Sequence, residues 1–436
     1  MRFEAVAAAA ATGGRLVGPD AVVDGVSFDS RTIRPGQLFV PIVADRDGHE
    51  FIPAALERGA AAYLTSQPAQ GGTAIEVDDT LAALMRLATA QRRTFAGPVI
   101  GITGSVGKTS TKDLAWAALG ASTATWANER SFNNDQGLPT TVLNAPEGTE
   151  VMVLEMGMRG FGEITRLCGI AAPTIGIVTR VAEAHSDRVG GIEGVYRAKR
   201  ELPEALPADG TAILNGDDGR VRRMVHDTPA QSLLYGEADG CDIRITDVTL
   251  DDLARASFSA RTPWGDVAVR LGVSGRHMVS NAAAALACVG VVGADLQAGA
   301  AALADVGLTA MRMEVLRSVA GGVVLNDSYN ANPTSMRAAL DALVAMPASR
   351  RVAVLGLMAE ISDPAAEHVG IADYARERGI ELIAYGTDLY GVAPTADPVA
   401  AVGSVAGGDA VLVKGSRVVG LEVVAAALLG QSIDPH

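Results

Sequence analysis

Lysine is scarce in this 436-residue chain. Of its 36 basic residues, four are lysine: Lys108, Lys112, Lys199 and Lys414. The scarcity is sharpest in VYRAKREL (195–202), where Lys199 sits between Arg197 and Arg200. Cysteine is also rare. Cys168, Cys241 and Cys288 are scattered, with no CxxC spacing, which excludes a disulfide framework and suits a reducing cytoplasm. Positive charge is in deficit: the net charge is −14. That excludes a general nucleic-acid binder, which needs a basic field to release counterions. An anionic ligand must instead be held locally, by helix N-termini, backbone amides and a few placed cations. No strongly apolar run reaches about 18 residues, so no membrane span is expected. The opening MRFEAVAAAAATGG has an acid at Glu4 and alanine in place of leucine, so it reads as a first amphipathic helix rather than a signal peptide.

What is present is a series of βα units. Val99–Ile102, Val151–Leu154, Thr174–Val178 and Thr211–Leu214 are short apolar runs, most of them leading into a loop and a helical pattern. This is an α/β chain with a parallel sheet. Residues 232–273 change character and read as a small antiparallel section. A second βα series starts near 309, with GVVLND, RVAVLG, ELIAYG and AVLVKG each ending at a polar residue or glycine. Helical patterns follow at 334–346, 366–378 and 418–429. Three domains are expected: an α/β unit at 1–96, a central unit at 97–308 and a Rossmann-like unit at 309–436.

The chemistry-bearing segments cluster in the central unit. PVIGI runs into TGSVGKTS, a turn that opens a helix. Gly104, Ser105, Val106 and Gly107 let backbone N–H groups approach phosphate oxygens. Lys108 reaches the β/γ-phosphates, and Thr109 and Ser110 begin the helix. The first glycine of the usual GxxxxGK[ST] spacing is replaced by Ile102. Lys112, one turn further, reads as a solvated side chain. Glu155 ends the strand VMVLE, where ligands of open α/β sheets collect, and a carboxylate there can hold Mg²⁺. His185 follows the next strand by a short loop, beside the same expected phosphate site. At about 3.6 residues per turn, Ile192, Val195, Lys199 and Leu202 share one stripe. Periodicity alone allows two readings of Lys199. It is either a buried amine, kept neutral and able to take up CO₂ as a carbamate, or a lysine whose stem packs inside while its head reaches water. Pro203 ends or kinks that helix.

Taken together, TGSVGKTS, SFNNDQGLPTT (131–141), LEMG, AEAH, AKREL, LNGDD (214–218), GRHMVSNAAAA (275–285) and NDSYNANPTSM (326–336) resemble the Mur ligases. Those are ATP-dependent cytoplasmic enzymes of peptidoglycan precursor synthesis. YNANPTSM, VLVKGSR (411–417) and Glu422 resemble the members that add D-alanyl-D-alanine to a UDP-N-acetylmuramoyl-tripeptide. SFDSRTIRPGQLFVPIVADRDGHEFI (27–52) resembles their uridine-nucleotide-binding domain. The resemblance implies ATP and Mg²⁺ as cofactors and a CO₂-derived carbamate on Lys199. It implies catalytic roles for Lys108, Glu155, His185 and Lys199, with Thr109, Glu155, His185 and Lys199 around metal. Asn215, His277 and Asn281 match nucleotide-contacting positions, and Arg312 and Asp327 match residues reaching ATP from the third domain. Ser30, Arg31, His49, Asn133, Asn134, Tyr329, Asn330 and Asn332 fall in substrate-facing segments. The resemblance further implies a monomer and closure of the third domain over the nucleotide.

Three positions depart from the family pattern. Met311 precedes Arg312 where glycine is usual, Leu357 stands where GDMxE has its acid, and Gly216 replaces an alanine.

Overall fold

The structure, a computed structural model, describes residues 1–129, 131–183 and 186–430, with Ser186 and Asp187 described by their backbone alone. Among the described residues, no helix is long and apolar enough to cross a membrane.

Among the described residues, three large sheets organise the chain, with a two-stranded pair, Arg2–Glu4 and Val22–Asp24, beside the first. The N-terminal sheet has the order Arg15–Val17, Ala74–Glu76, Ala62–Thr65, Leu38–Phe39, Val26–Ser27. Its first pair is antiparallel and the others parallel. The expected first helix forms at Ala5–Thr12, burying Ala5, Ala8, Ala9 and Thr12 and closing on Gly13 in the left-handed region.

The central sheet has nine strands. Val99–Thr103 lies between Val151–Glu155 and Ile175–Val178, all parallel. Thr211–Asn215, Gln231–Gly236 and Ile243–Leu250 continue the parallel run. The direction changes only at Arg255–Thr262, and Gly265–Ser274 closes the meander. The expected antiparallel section at 232–273 is therefore half right. Its first two strands continue the parallel run, because pairing direction depends on a distant strand and leaves no local pattern.

Each central strand shows its two faces to different layers. Ile100 and Ile102 pack with helices Lys108–Gly120 and Met278–Val292, while Val99, Met152 and Leu154 face Leu202 of helix Ile192–Glu204. The alanine run of Met278–Val292 is buried against the phosphate-loop helix. The N-terminal unit joins the second of these cores rather than standing apart. Arg92 seals the junction. It donates to the carbonyls of Ala171 at 2.6 Å and Ala172 at 3.0 Å, closing the end of helix Glu163–Ala171. The Met1 ammonium donates to the carbonyls of Leu143 and Ala145.

The third sheet has the order Glu314–Arg317, Val323–Asp327, Asp409–Lys414, Arg350–Leu355, Glu381–Ala384, with only its first pair antiparallel. Helix Pro333–Ala345 starts at a capping box: Asn332 accepts from Ser335 N, and the Ser335 side chain answers. Helices Pro364–Glu377 and Glu422–Leu428 fall where the sequence patterns place them.

Candidate active site

Strand register brings the ends of three central strands to one level. Glu155 pairs with Ile102, and Val178 with Thr103. The phosphate loop therefore emerges between Glu155 and Thr179, at the point where the sheet order reverses. Gly104 has φ 146° and Gly107 φ 90°, conformations that side chains resist. A Cβ on Gly104 would lie 1.9 Å from Thr179 Oγ1. The loop is braced from the neighbouring strand: Ser105 N donates to Arg180 O at 2.7 Å, and Thr179 Oγ1 to Val106 O at 2.6 Å. Asn281, on the alanine-rich helix, presses its side chain against Gly107.

A cleft of about 1280 Å³ opens over this loop. Its walls include Ser105 to Ser110, Asn133, Asn134, Glu155, Asn215, His277 and Asn281. From the third domain come Arg312, Asp327, Tyr329, Asn330 and Asn332. The sequence-predicted nucleotide residues are thus brought together. Lys108 Nζ donates to Gly104 O at 2.7 Å, so its ammonium is held at the loop. Burial lowers its pKa, Glu155 offsets this, and Arg312 adds to it.

Glu155 is 1% exposed. Its Oε1 accepts from Asn133 Nδ2 at 2.6 Å, and its backbone N donates to Asn128 Oδ1 at 2.6 Å. Among the described residues, Oε2 is buried with no partner. An orphaned carboxylate oxygen is costly unless a ligand meets it. Among the described residues, no group of three His, Cys, Asp or Glu could hold a metal alone. A hard cation here would need further oxygen donors, such as the Thr109 hydroxyl and a ligand's phosphates, which suits Mg²⁺.

Lys199 is 1% exposed, on the buried face with Val195, Ala198 and Leu202. Of the two readings, the inward amine is the one the fold adopts. Among the described residues its Nζ has no hydrogen-bond partner. Its pKa falls well below the ordinary lysine value through burial and then the nearby Lys108 charge, opposed by Glu155, Glu201 and Glu163. It lies beneath the cleft rather than in its wall. Pro203 falls in the last turn, and the helix ends one residue later. His185 lies outside the described residues.

The third domain reaches across the cleft. Arg312 Nη2 is 3.4 Å from Thr109 Oγ1, and the guanidinium stacks 4.1 Å from the Tyr329 ring centroid. Among the described residues, Arg312 Nε is buried without a partner. Asp327 accepts from Met313 N at 3.2 Å and pairs with Lys414 at 2.5 Å. His277 heads the alanine-rich helix; burial lowers its pKa to about 4, leaving a neutral ring. Asn215 is structural as well as lining: it donates to Thr179 O and accepts from Asp217 N.

The N-terminal residues lie apart from this cleft. Arg31 is exposed and chelates Asp29 at 2.9 and 2.7 Å. Ser30 is buried. His49 is also buried, with Nδ1 2.6 Å from Asp47 and Nε2 accepting from Ser66 N at 3.1 Å. Both ring nitrogens are engaged, so His49 shapes its loop rather than offering a free donor.

Sequence reasoning missed two lysines. Lys112 is 1% exposed, not solvated: it pairs with Asp113 at 2.7 Å and donates to Asn128 O at 2.8 Å. Lys414, assigned no task, is equally buried and holds Asp327 and the carbonyl of Asn330. Two sequence departures also gain reasons. Met311 has φ 62°, a conformation for which glycine is the easy residue. A Cβ on Gly216 would lie 2.5 Å from Cys241 Sγ.

Fold and site together define a phosphate-loop nucleotide-binding protein whose cleft is completed by a separate C-terminal domain. Residues 102–289 match the Mur ligase middle domain, and residues 311–417 the glutamate ligase domain of the Mur ligases. The chain belongs to the Mur ligase family. It is 38% identical to the UDP-N-acetylmuramoyl-tripeptide–D-alanyl-D-alanine ligase of Mycobacterium bovis, over 93% of this chain and 92% of that one. A crystal structure of MurF from Acinetobacter baumannii superposes with a TM-score of 0.85 at 27% identity, covering 99% of both chains. MurF from Thermotoga maritima in complex with ADP gives 0.82 at 25% identity, over 94% of this chain and 98% of that one.

Proposed function

We infer that this chain is an ATP-dependent ligase that adds D-alanyl-D-alanine to UDP-N-acetylmuramoyl-tripeptide in peptidoglycan precursor synthesis. The observation that carries this reading is one cleft holding the phosphate loop, an acid with an unpartnered oxygen and Arg312 from another domain, in a chain similar over nearly its whole length to such ligases.

A carboxylate is a poor acyl donor because its leaving group would be oxide. Its oxygen attacks the γ-phosphorus of ATP, the bond to ADP breaks, and an acyl phosphate forms. The dipeptide amine then attacks the acyl carbon, and inorganic phosphate leaves with the bonding pair. The protein's task is to gather negative charges and position them. The loop amides and Lys108 hold the transferred phosphate. Arg312 supplies positive charge from the opposite side, beside Thr109. Lys414 fixes Asp327, which we assign to the nucleotide. His277, being neutral, can accept or donate one hydrogen bond there without adding charge.

Glu155 Oε2 and Thr109 are the oxygens we assign to Mg²⁺, with His185 as a further ligand by resemblance. When bound, Mg²⁺ screens the phosphate charges and polarises the transferred group. Lys199 suits carbamylation: its buried amine favours the neutral form, which attacks CO₂ with loss of a proton and becomes an anion with two oxygens. Arginine cannot do this. The N-terminal unit, with Ser30 and Arg31 and shaped by His49, would hold the UDP end. Asn133, Asn134, Tyr329, Asn330 and Asn332 would line the path of the peptide and dipeptide. We also propose a cytoplasmic location, which the use of ATP and a UDP-linked substrate supports, and a monomer.

The test is phosphate release in the presence of UDP-N-acetylmuramoyl-tripeptide, comparing D-alanyl-D-alanine, single amino acids and no amine. Release with D-alanyl-D-alanine alone is expected. Equal release with a single amino acid would reassign the amine substrate, and none with any amine would refute the ligase reading.

A further inference from the structure

The misread Lys112 opens onto a second device. Lys112 and Asp113 lie one turn past Lys108 and Thr109, on the same helix, and both are buried. Neither lines the main cleft. Each holds a different part of the site. Lys112 Nζ donates to Asn128 O at 2.8 Å. The Asn128 side chain in turn accepts from Glu155 N at 2.6 Å and donates to Phe132 O at 2.5 Å, beside Asn133. Asp113 Oδ1 pairs with Lys112 at 2.7 Å, and its Oδ2 accepts from Thr309 N at 2.7 Å. Thr309 begins the segment that carries Arg312 into the third domain. Left-handed backbone at Met311 and Met313 flanks Arg312 itself. A cavity of about 650 Å³ lies alongside, lined by Trp116, Glu129, Asp305 and Leu308, so the tie is not buttressed by dense packing on that side.

We propose that Lys112 and Asp113 form a positioning relay. Through Asn128 it sets Glu155, and through the Thr309 backbone it sets Arg312, both against the first turn of the phosphate-loop helix. Buried ion pairs are weak contributors to stability and are often replaceable by apolar groups at little cost. This pair therefore has room to be retained for geometry. It gives two groups from different domains a common reference, where a displacement of about 1 Å is worth up to about 10²-fold in rate. Segments joining domains absorb backbone change during closure, and a fixed tether at one end makes that change reproducible.

This inference rests on the ligase reading, so the experiment separates them. Wild-type ligation with D-alanyl-D-alanine tests the reading itself. Two variants test the relay. Lys112→Met/Asp113→Leu replaces the pair by apolar groups, and Thr309→Pro deletes the hinge donor while leaving both charges paired. The expected result in both is a kcat lowered roughly 30-fold or more, with KM for ATP within about threefold and an unchanged melting temperature. Hydrogen exchange, which needs no ligation, is expected to show faster exchange at Thr309 in the double variant. An unchanged kcat in Thr309→Pro, or a loss that only tracks a fall in melting temperature, overturns the relay. So does unaltered exchange at Thr309 in the double variant.

Discussion

Lys199 makes a measurable claim about proton binding. Its ordinary pKa is 10.5, and burial lowers it well below that in the folded chain. Between the folded and unfolded values, the unfolded state binds a proton that the folded state does not. Stability must then rise with pH through that window, by at most about 1.4 kcal/mol per pH unit for one group, and level off near 10.5. Lys199→Met keeps the apolar stem and removes the titration. In CO₂-free buffer, the stability of the wild type relative to Lys199→Met should climb as pH rises through the window below 10.5. Urea denaturation at fixed pH values measures both. Bicarbonate should raise the stability of the wild type over this range, because CO₂ is taken up by the folded amine and not by the protonated unfolded one, and leave Lys199→Met unaltered. Parallel curves for the two proteins in CO₂-free buffer would refute the neutral buried amine. For activity, Lys199→Ala should lose ligation by about 10²-fold or more, as expected when a fixed charge is removed from such a site. A short-chain carboxylate should partly restore it. Full activity without rescue would end the carbamate assignment.

Other substitutions probe the rest of the site. Arg312→Lys keeps charge but loses the planar stack on Tyr329 and the reach to Thr109, so kcat/KM should fall about 10- to 100-fold in the phosphate-release assay, with folding intact. Gly104→Ala places a Cβ 1.9 Å from Thr179 Oγ1, so calorimetry should show ATP binding largely abolished. Met311→Val should cost about 1–3 kcal/mol, since a β-branched residue resists φ 62°, whereas Met311→Gly should be close to neutral; thermal melts distinguish them. His277, with its pKa lowered to about 4, binds fewer protons folded than unfolded between about pH 4 and its ordinary 6.5. Acidification through that window should cost the wild type up to roughly 3 kcal/mol more than His277→Gln, as read by denaturation at each pH.

The readable parts of the site were those encoded locally. Strand, glycine turn and helix follow one another in TGSVGKTS, and the turn requires residues that only a few types can supply. The inward phase of Lys199 followed from helical periodicity, because neighbours on one face share one environment. What escaped depended on distant partners. The strand Gln231–Gly236 runs parallel because Thr211–Asn215 lies beside it. Lys112 shares a helix stripe with Ala115 and Leu119, but such a stripe equally allows a buried stem with its head in water. It is buried because Asp113 and the carbonyl of Asn128 are there to receive it. Met311 reads as an ordinary apolar residue, and only its backbone angle shows why glycine suits the position.

One signal would have found the missed lysines, and it was the scarcity itself. All four are committed to the site or its supports. Lys108 donates to Gly104 O, Lys112 to Asn128 O, and Lys414 to Asp327 and Asn330 O, while Lys199 is buried on the inward face of its helix. An ammonium is a compact point charge on a flexible stem and can end in a pocket sized for one or two oxygens. A guanidinium is a broad planar fork that needs several acceptors and more volume. In a chain that uses arginine for ordinary surface charge, lysine persists where that fork does not fit or must not stay protonated. The argument has a direct consequence. Lys112→Arg and Lys414→Arg, conservative in charge, should each lower kcat at least about tenfold, because the larger head must displace Asn128 or Asp327. Arg→Lys exchanges at exposed positions such as Arg46 or Arg261 should leave kcat and melting temperature unaltered. If the two sets of exchanges were equally silent, the lysines would mark nothing but codon history.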